Sequence, residues 1–200
     1  MSFPHLVLAR FYEHIQPIDR GVRYEDPLQA VLESKGLGNV SGGGSLLNKL
    51  GGIDYVDVEI ELANFDEALD VVAETLESLG APAGSELLEA SSERVLREFG
   101  KQQCLAIYLD GVSLPDEVYS NLDFEAVVNE IAAAAGDDSY HGFWQANEET
   151  GLFFFGADAE AMFSRVEPLL RRLPIGQNAR VVIRAGKRSL NPREVRMPRQ

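Results

Sequence analysis

The sequence lacks the features that mark several large classes of protein. It contains one cysteine, Cys104, so no disulfide can form within the chain, and we interpret this residue as a buried thiol in a reducing cytoplasm. No apolar run reaches about 18 residues, and the N-terminus has neither the basic start nor the apolar core of a signal peptide. We therefore expect a cytoplasmic protein that does not cross a membrane.

Fingerprints of catalysis and of cofactor binding are missing as well. No glycine-rich run is followed by Lys-Ser or Lys-Thr, and none has the spacing of a dinucleotide-binding turn. The histidines His5, His14 and His141 lie far apart without the spacing of metal ligands. A general base formed by His141 with Glu148 or Glu149 is a weaker alternative. We expect no cofactor, no metal and no catalytic residue.

Positive charge is scarce. The net charge is −14, and the first hundred residues carry eighteen acidic and seven basic side chains, whereas residues 180–200 carry seven basic side chains and one acidic. Nucleic-acid binding requires neutralisation of phosphates, so we expect none, although Tyr108 and Phe153 imitate the base-stacking aromatics of RNA-binding sheets. A basic protein partner, or simple solubility, accounts better for the acidic residues.

The clearest positive feature is an internal repeat. Six apolar positions of the first half recur in the same order about 94 positions later. The matched residues are Ile60, Leu69, Val72, Leu76, Leu79 and Leu87 with Phe154, Phe163, Val166, Leu170, Leu173 and Val181. Each half reads β-α-β-β-α-β, the ferredoxin-like split. We expect an α+β protein of two tandem ferredoxin-like repeats with antiparallel sheets, over residues 1–90 and 101–200, joined by a connector at 91–100.

Turn and capping residues give approximate element bounds. In the first repeat we expect strands at 5–12, through Val40, at 53–62 and at 85–89, and helices at 26–34 and 65–79, with Asp26 and Asn64 as N-caps. In the second we expect strands at 104–110, 140–146, 151–156 and 179–185, and helices at 122–135 and 158–173, the latter capped by Asp158 and kinked at Pro168. Residues 194–198 indicate a short edge strand.

The strand at 53–62 alternates almost perfectly. Asp57, Glu59 and Glu61 lie on the sheet face that the helices leave open, because the residues between them are apolar. We predict that these three carboxylates attract a basic protein partner. A solvated face, or internal pairing with Arg180 or Arg184, are the alternatives.

The second repeat places aromatic residues where the first has acids. Gly151, Phe153 and Phe155 take the positions of the three carboxylates. Leaving two phenylalanines exposed forgoes roughly 1.5–3 kcal/mol each, so we expect them to be buried. A neighbouring element, or a second protomer in a homodimer through this face, would cover them.

A glycine run gives the second candidate site. It reads Ser41, Gly42, Gly43, Gly44, Ser45. Consecutive glycines permit positive φ and close backbone approach, which suits an anion, whereas a hairpin tip or bulge is the alternative.

Three segments resemble an uncharacterised bacterial family. They are Gly38-x-Val40-Ser41-Gly42-Gly43-Gly44-Ser45, Asp57-Val58-Glu59-Ile60-x-Leu62 and Leu79-Gly80-Ala81-Pro82-x-Gly84-Ser85. Some members of this family are similar to immunity proteins, the antidotes to secreted toxins. The resemblance implies a non-catalytic acidic protein that inhibits a basic toxin enzyme. The alternatives are a small-molecule-binding or regulatory module that uses Gly42–Gly44, and an enzyme with a site between the repeats.

Overall fold

A computed structural model describes residues 4–49, 52–186 and 192–199. The chain divides into two compact units. The first contains the residues up to Lys49 together with Ile53–Gln102, and the second contains Gln103–Gln200. Each unit is an α+β structure with one five-stranded antiparallel sheet, and the two units repeat one topology, as the sequence predicts.

The first unit follows the ferredoxin-like order with one added strand. Its elements are β1 (His5–Phe11), α1 (Pro17–Arg20), a π-helical turn (Gly21–Glu25), α2 (Asp26–Lys35), β2 (Gly38–Leu47), β3 (Ile53–Leu62), α3 (Phe65–Ser78), β4 (Ser85–Glu89) and β5 (Val95–Phe99). The strand order in the sheet is β2-β3-β1-β4-β5.

The second unit repeats that arrangement. Its elements are β6 (Gln103–Asp110), α4 (Asp116–Ser120), α5 (Phe124–Ala135), β7 (Tyr140–Gln145), β8 (Glu149–Gly156), α6 (Ala159–Arg172), a 3₁₀ turn (Pro174–Gly176), β9 (Arg180–Arg184) and β10 (Arg193–Arg196). The strand order in its sheet is β7-β8-β6-β9-β10, which corresponds strand by strand to β2-β3-β1-β4-β5 of the first sheet. β10 confirms the predicted edge strand.

Alternation fixes which face of each sheet meets the helices. In β3 the residues Val56, Val58 and Ile60 are fully buried in the core formed with α2 and α3. In β8 the corresponding core residues are Leu152 and Phe154. The residues between them therefore lie on the opposite face, which we call the open face.

The first helical segment is longer than the sequence suggests. Helical backbone begins at Pro17, and Glu25, directly before α2, has φ −69° and ψ −53°. The prediction that Asp26 is an N-cap is therefore wrong, because an N-cap needs a non-helical backbone. Arg20, at the end of α1, and Tyr24, in the π-helical turn, are both buried.

Two of the predicted helix starts differ in their chemistry. Asp158 caps α6 as predicted, since its carboxylate accepts a hydrogen bond from the Ala161 N–H at 2.9 Å. Asn64 occupies the N-cap position of α3, but its side chain makes no capping hydrogen bond. Pro168 lies within α6.

The predicted connector is part of the first unit. Residues 95–99 form β5 and pair with β4, and they are not helical. Phe99 explains this placement, because it is buried in the first core with its ring edge-on to Phe11 at 5.5 Å. Among the described residues, no helix is both long enough and apolar enough to cross a membrane.

Candidate functional site

The acidic strand carries an internal ion pair. Arg10 on β1 lies directly opposite Asp57 on β3, and its Nε and Nη2 each donate to one carboxylate oxygen at 2.9 Å. The guanidinium also stacks on Tyr55, with Cζ 3.8 Å from the ring centroid. The hydrogen bond to Asp57 raises the pKa of Arg10, outweighing the opposing effect of burial. The pairing partner is therefore Arg10, and the alternative of Arg180 or Arg184 is wrong for Asp57.

Glu59 and Glu61 differ from Asp57. Both are half-buried, and no basic side chain within residues 4–49, 52–186 and 192–199 forms an ion pair with either. The Asn39 amide is 3.5 Å from a Glu61 oxygen, the outer limit of a hydrogen bond. The predicted acidic surface therefore has two uncompensated charges instead of three.

The glycine run forms an extended edge strand, and the anion site stays a prediction. Gly42, Gly43 and Gly44 lie in β2, and none of them has a positive φ. Arg20 lies against this strand, with Nη1 donating to the Gly44 carbonyl at 2.8 Å and Nε 2.5 Å from Glu25. A Cβ at Gly43 would lie 2.7 Å from the Arg20 Nη2. The absence of a side chain at Gly43 thus leaves room for the Arg20 guanidinium against β2.

The bulge alternative describes β2 correctly. The register of β2 with β3 shifts between Val40 and Gly42, around Ser41. Gly42 then pairs with Glu59, and Ser45 pairs with Val56. The two predicted sites, separate in the sequence, are therefore neighbours in the sheet.

Phe153 and Phe155 are buried, as predicted. They are 1% and 3% exposed. Within the second unit, Phe153 lies edge-on to Tyr108 at 6.0 Å, and Phe155 stacks on His141 at 4.6 Å. One copy of the chain buries both rings, and a homodimer through this face stays a prediction.

The second unit contains an arginine, a tyrosine and a carboxylate in mutual contact. Nη2 of Arg180 donates to both Glu149 oxygens, at 2.8 and 3.0 Å, and the Arg180 Cζ lies 3.8 Å from the centre of the Tyr108 ring. Burial raises the pKa of Tyr108, against the opposing effect of Arg184 and Arg180. Glu149 is thus engaged by Arg180, which disfavours the predicted base with His141.

These side chains belong to one row that crosses the whole sheet. The register pairs Trp144 with Gly151, Gly151 with Tyr108, Tyr108 with Arg180, and Arg180 with Arg196. Residues paired in this way project from the same face of a sheet. We call Trp144, Gly151, Tyr108, Arg180 and Arg196 the pocket row. A Cβ at Gly151 would lie 3.1 Å from Tyr108, so this glycine makes room for the ring.

Four members of the pocket row, Trp144, Tyr108, Arg180 and Arg196, line an open pocket of about 620 Å³ at one end of the second sheet. The β7–β8 hairpin supplies Asn147 and Glu148, and the end of β6 supplies Asp110. Burial raises the pKa of Asp110, but hydrogen bonds from Ser113, Val112 and Asn178 outweigh it and lower the pKa to about 2. Asp110 is therefore ionised at neutral pH, and it accepts hydrogen bonds from residues at the edge of the pocket.

The sequence predictions name several of these residues but do not place them in one site. Tyr108, Arg180 and Glu149 each appear in a different hypothesis, and Arg196 and Trp144 in none that concerns a pocket. They come from five different strands of the second sheet, so no local motif marks them. The described residues contain no group of three or more His, Cys, Asp or Glu side chains that would hold a metal ion.

Comparisons with known proteins give little beyond this geometry. No family model and no curated protein matches the chain. The regulatory subunit of aspartate kinase from Thermus flavus is 14% identical, with 84% of this chain and 93% of that chain covered and a TM-score of 0.28. An unknown protein from Galdieria sulphuraria is 13% identical, with 90% and 95% covered and a TM-score of 0.29. At this level the similarities carry no argument about function.

Proposed function

We propose that the protein is a non-catalytic binding module whose second unit binds a small molecule in the sheet-end pocket. The observation that carries this proposal is Arg180, which is fixed by Glu149 and Tyr108 within an open pocket. A volume of about 620 Å³ lies within the range of roughly 300–1,000 Å³ typical of ligand sites. A fixed arginine pays little further ordering entropy when it binds a ligand.

Arg10 in the first unit is less accessible than Arg180. It is held by a similar pair and a similar ring, but its side chain is 10% exposed, against 24% for Arg180. Its guanidinium donates from two nitrogens to Asp57, whereas Arg180 uses a single nitrogen on Glu149. We therefore assign the first pair to stability and the second to binding.

The single tryptophan makes the proposal directly testable. Trp144 is the only tryptophan in the chain and lines the pocket, so its indole N–H gives one assignable NMR resonance at the site. We would titrate the full chain with a panel of small carboxylic acids, amines, amino acids and nucleotides. A ligand should shift this resonance saturably and raise the thermal midpoint by mass action. If no compound of the panel does both, the proposal fails.

A basic protein partner is the second candidate, supported by Glu59 and Glu61. These carboxylates share one face, and neither forms an ion pair with a basic side chain in the described part of the chain, so their field is available for steering. An immunity-like inhibitor of a basic toxin enzyme is the specific form of this candidate. Affinity capture with the unmodified chain and with the double variant E59Q/E61Q tests it. A basic protein retained by the first and lost by the second supports the candidate, and equal retention contradicts it.

A further inference from the structure

At the basic end of the pocket row, Arg180 is paired with Glu149 through Nη2, but its Nη1 and the guanidinium of Arg196 are only loosely neutralised. Arg180 and Arg196 lie directly opposite each other on β9 and β10, and both line the pocket. The Arg180 Nη1 has one acidic contact among the described residues, Glu194 Oε2 at 4.0 Å. The Arg196 Nε lies 3.8 Å from the other Glu194 oxygen, and this arginine side chain is 70% exposed.

Both distances are far from those of an optimal ion pair. A charge-assisted hydrogen bond between a guanidinium and a carboxylate is typically about 2.7–2.9 Å long. Glu194 is two residues from Arg196 on the same strand, and its two oxygens each lie near one guanidinium without a short hydrogen bond to either. The Arg180 Nη1 and the Arg196 Nε therefore share Glu194 at the outer limit of pairing, while the Arg180 Nη2 stays paired with Glu149.

The other end of the pocket row is aromatic. Trp144 lies on β7, three strands away from Arg180 on β9. With neighbouring strands about 4.8 Å apart, roughly 14 Å separate the two backbones. Tyr108, between them, is covered on one face by the Arg180 guanidinium. A ligand that reaches both ends must be elongated.

We propose that the ligand is an elongated amphipathic anion, a carboxylate joined through a short apolar chain to a flat group. Its carboxylate lies between Arg180 and Arg196, replacing Glu194, and its flat group packs against Trp144. This rests on the proposed function and adds the chemical class of the ligand. The pocket lining also holds three carboxylates, Asp110, Glu148 and Glu149. Glu149 is paired with Arg180, and Asp110 accepts hydrogen bonds from Ser113 and Asn178. The cationic groups at the proposed carboxylate position are the Arg180 Nη1 and Arg196.

Three probes of one shape isolate the charge. We would titrate the full chain with 5-phenylpentanoate, 5-phenylpentanamide and 5-phenylpentylamine, and follow the indole resonance of Trp144. We expect saturable binding of the carboxylate, and binding of the amide and the amine at least about tenfold weaker. Benzoate has the charge without the length, so it should leave the Trp144 resonance unchanged.

Three variants test the residues. R196Q should weaken 5-phenylpentanoate binding about fivefold to tenfold, because it removes one guanidinium from the carboxylate. E194Q should tighten it about threefold or more, since the internal competitor is gone. R193Q is the matched control on the same strand, where Arg193 faces the helix side and pairs with Glu160. It should change nothing, and circular dichroism would verify that all three variants fold.

The outcomes separate this inference from the proposed function. If the amine or the amide binds as tightly as the carboxylate, or if E194Q leaves carboxylate affinity unchanged, the ligand class is wrong while the pocket still binds. If none of the probes and none of the wider panel shifts Trp144, the pocket itself is not a binding site. Stronger binding of the carboxylate to E194Q, together with weaker binding to R196Q, supports the inference.

Discussion

Exchanging Asp57 for asparagine keeps the side-chain shape and removes the charge that faces Arg10. In the folded protein this arginine is 8% exposed and donates two hydrogen bonds of 2.9 Å to the carboxylate. The amide of asparagine has one oxygen, so it accepts one of these bonds at best and turns an N–H group toward the other nitrogen. The variant therefore leaves a buried guanidinium without its counter-charge.

The size of the effect follows from what Arg10 retains. Breaking a buried ion pair by removing one partner typically costs about 3–5 kcal/mol. Arg10 keeps its stacking on Tyr55 and a longer contact with Glu93 at 3.5 Å, which offset part of this loss. We expect D57N to lower the free energy of unfolding by about 2–3 kcal/mol. For a unit of about 100 residues this corresponds to a fall of roughly 10–15 °C in Tm.

Glu59 provides the matched control. It lies two residues along the same strand and on the same face, it undergoes the same chemical change in E59Q, and no basic side chain pairs with it in the described residues. E59Q should alter stability by less than about 0.5 kcal/mol. Urea unfolding followed by circular dichroism would measure both variants. Equal effects of D57N and E59Q would refute the assignment of Arg10 as the structural partner of Asp57.

Three further predictions test other parts of the two units. Alanine at Gly43 should cost about 1–3 kcal/mol, because its Cβ would lie 2.6 Å from a backbone oxygen, whereas alanine at Gly44 meets no atom within 4 Å and should be neutral in urea unfolding. Phe153→Ala should cost about 3–5 kcal/mol and Phe143→Ala much less, since the ring of Phe143 is 45% exposed; similar unfolding midpoints would contradict this. Hydrogen bonding lowers the pKa of Asp110 from 3.8 to about 2, so its stabilisation is complete above pH 3.8 and is lost as the pH falls through 2. Asp110→Asn should flatten the acid-unfolding curve in that window, and an unchanged curve would contradict it.

The fold was predictable because it depends on short-range patterns that occur twice. Alternating residues in 53–62 fix which side of β3 meets the helices, and the same alternation near Phe154 fixes β8. The sequence predicted the wrong element where tertiary contacts override the local pattern. Residues 95–99 carry no strong strand pattern, and they pair with β4 because Phe99 completes the first core.

The site was less predictable, because alternation identifies the face of a residue and not its cross-strand partner. Arg10 and Asp57 are 47 positions apart, and nothing near either residue indicates the other. A lone arginine in the apolar run around 6–11 is the one signal that could have suggested a counter-charge on the open face. The pocket row joins residues from 108 to 196, and its register depends on hairpin bulges that composition does not specify.

Equivalent rows of the two sheets differ in their chemistry. The register of the first sheet aligns Gly44, Asp57, Arg10, Glu86 and Glu98, in the same strand order as the pocket row. Each position has changed its chemistry. The central arginine is replaced by Tyr108, its carboxylate partner by Gly151, and the two glutamates by Arg180 and Arg196.

These exchanges have a direct physical consequence. In the first unit the central arginine is flanked by acids on both neighbouring strands, so its charge is neutralised within the sheet. In the second unit the central residue is uncharged, and the arginines lie on the two outer strands, β9 and β10. β9 and β10 carry one carboxylate, Glu194, which lies no closer than 3.8 Å to either arginine. In this row the second sheet therefore carries its positive charge on β9 and β10 instead of the central strand, with Arg180 paired to Glu149 and Arg196 largely exposed.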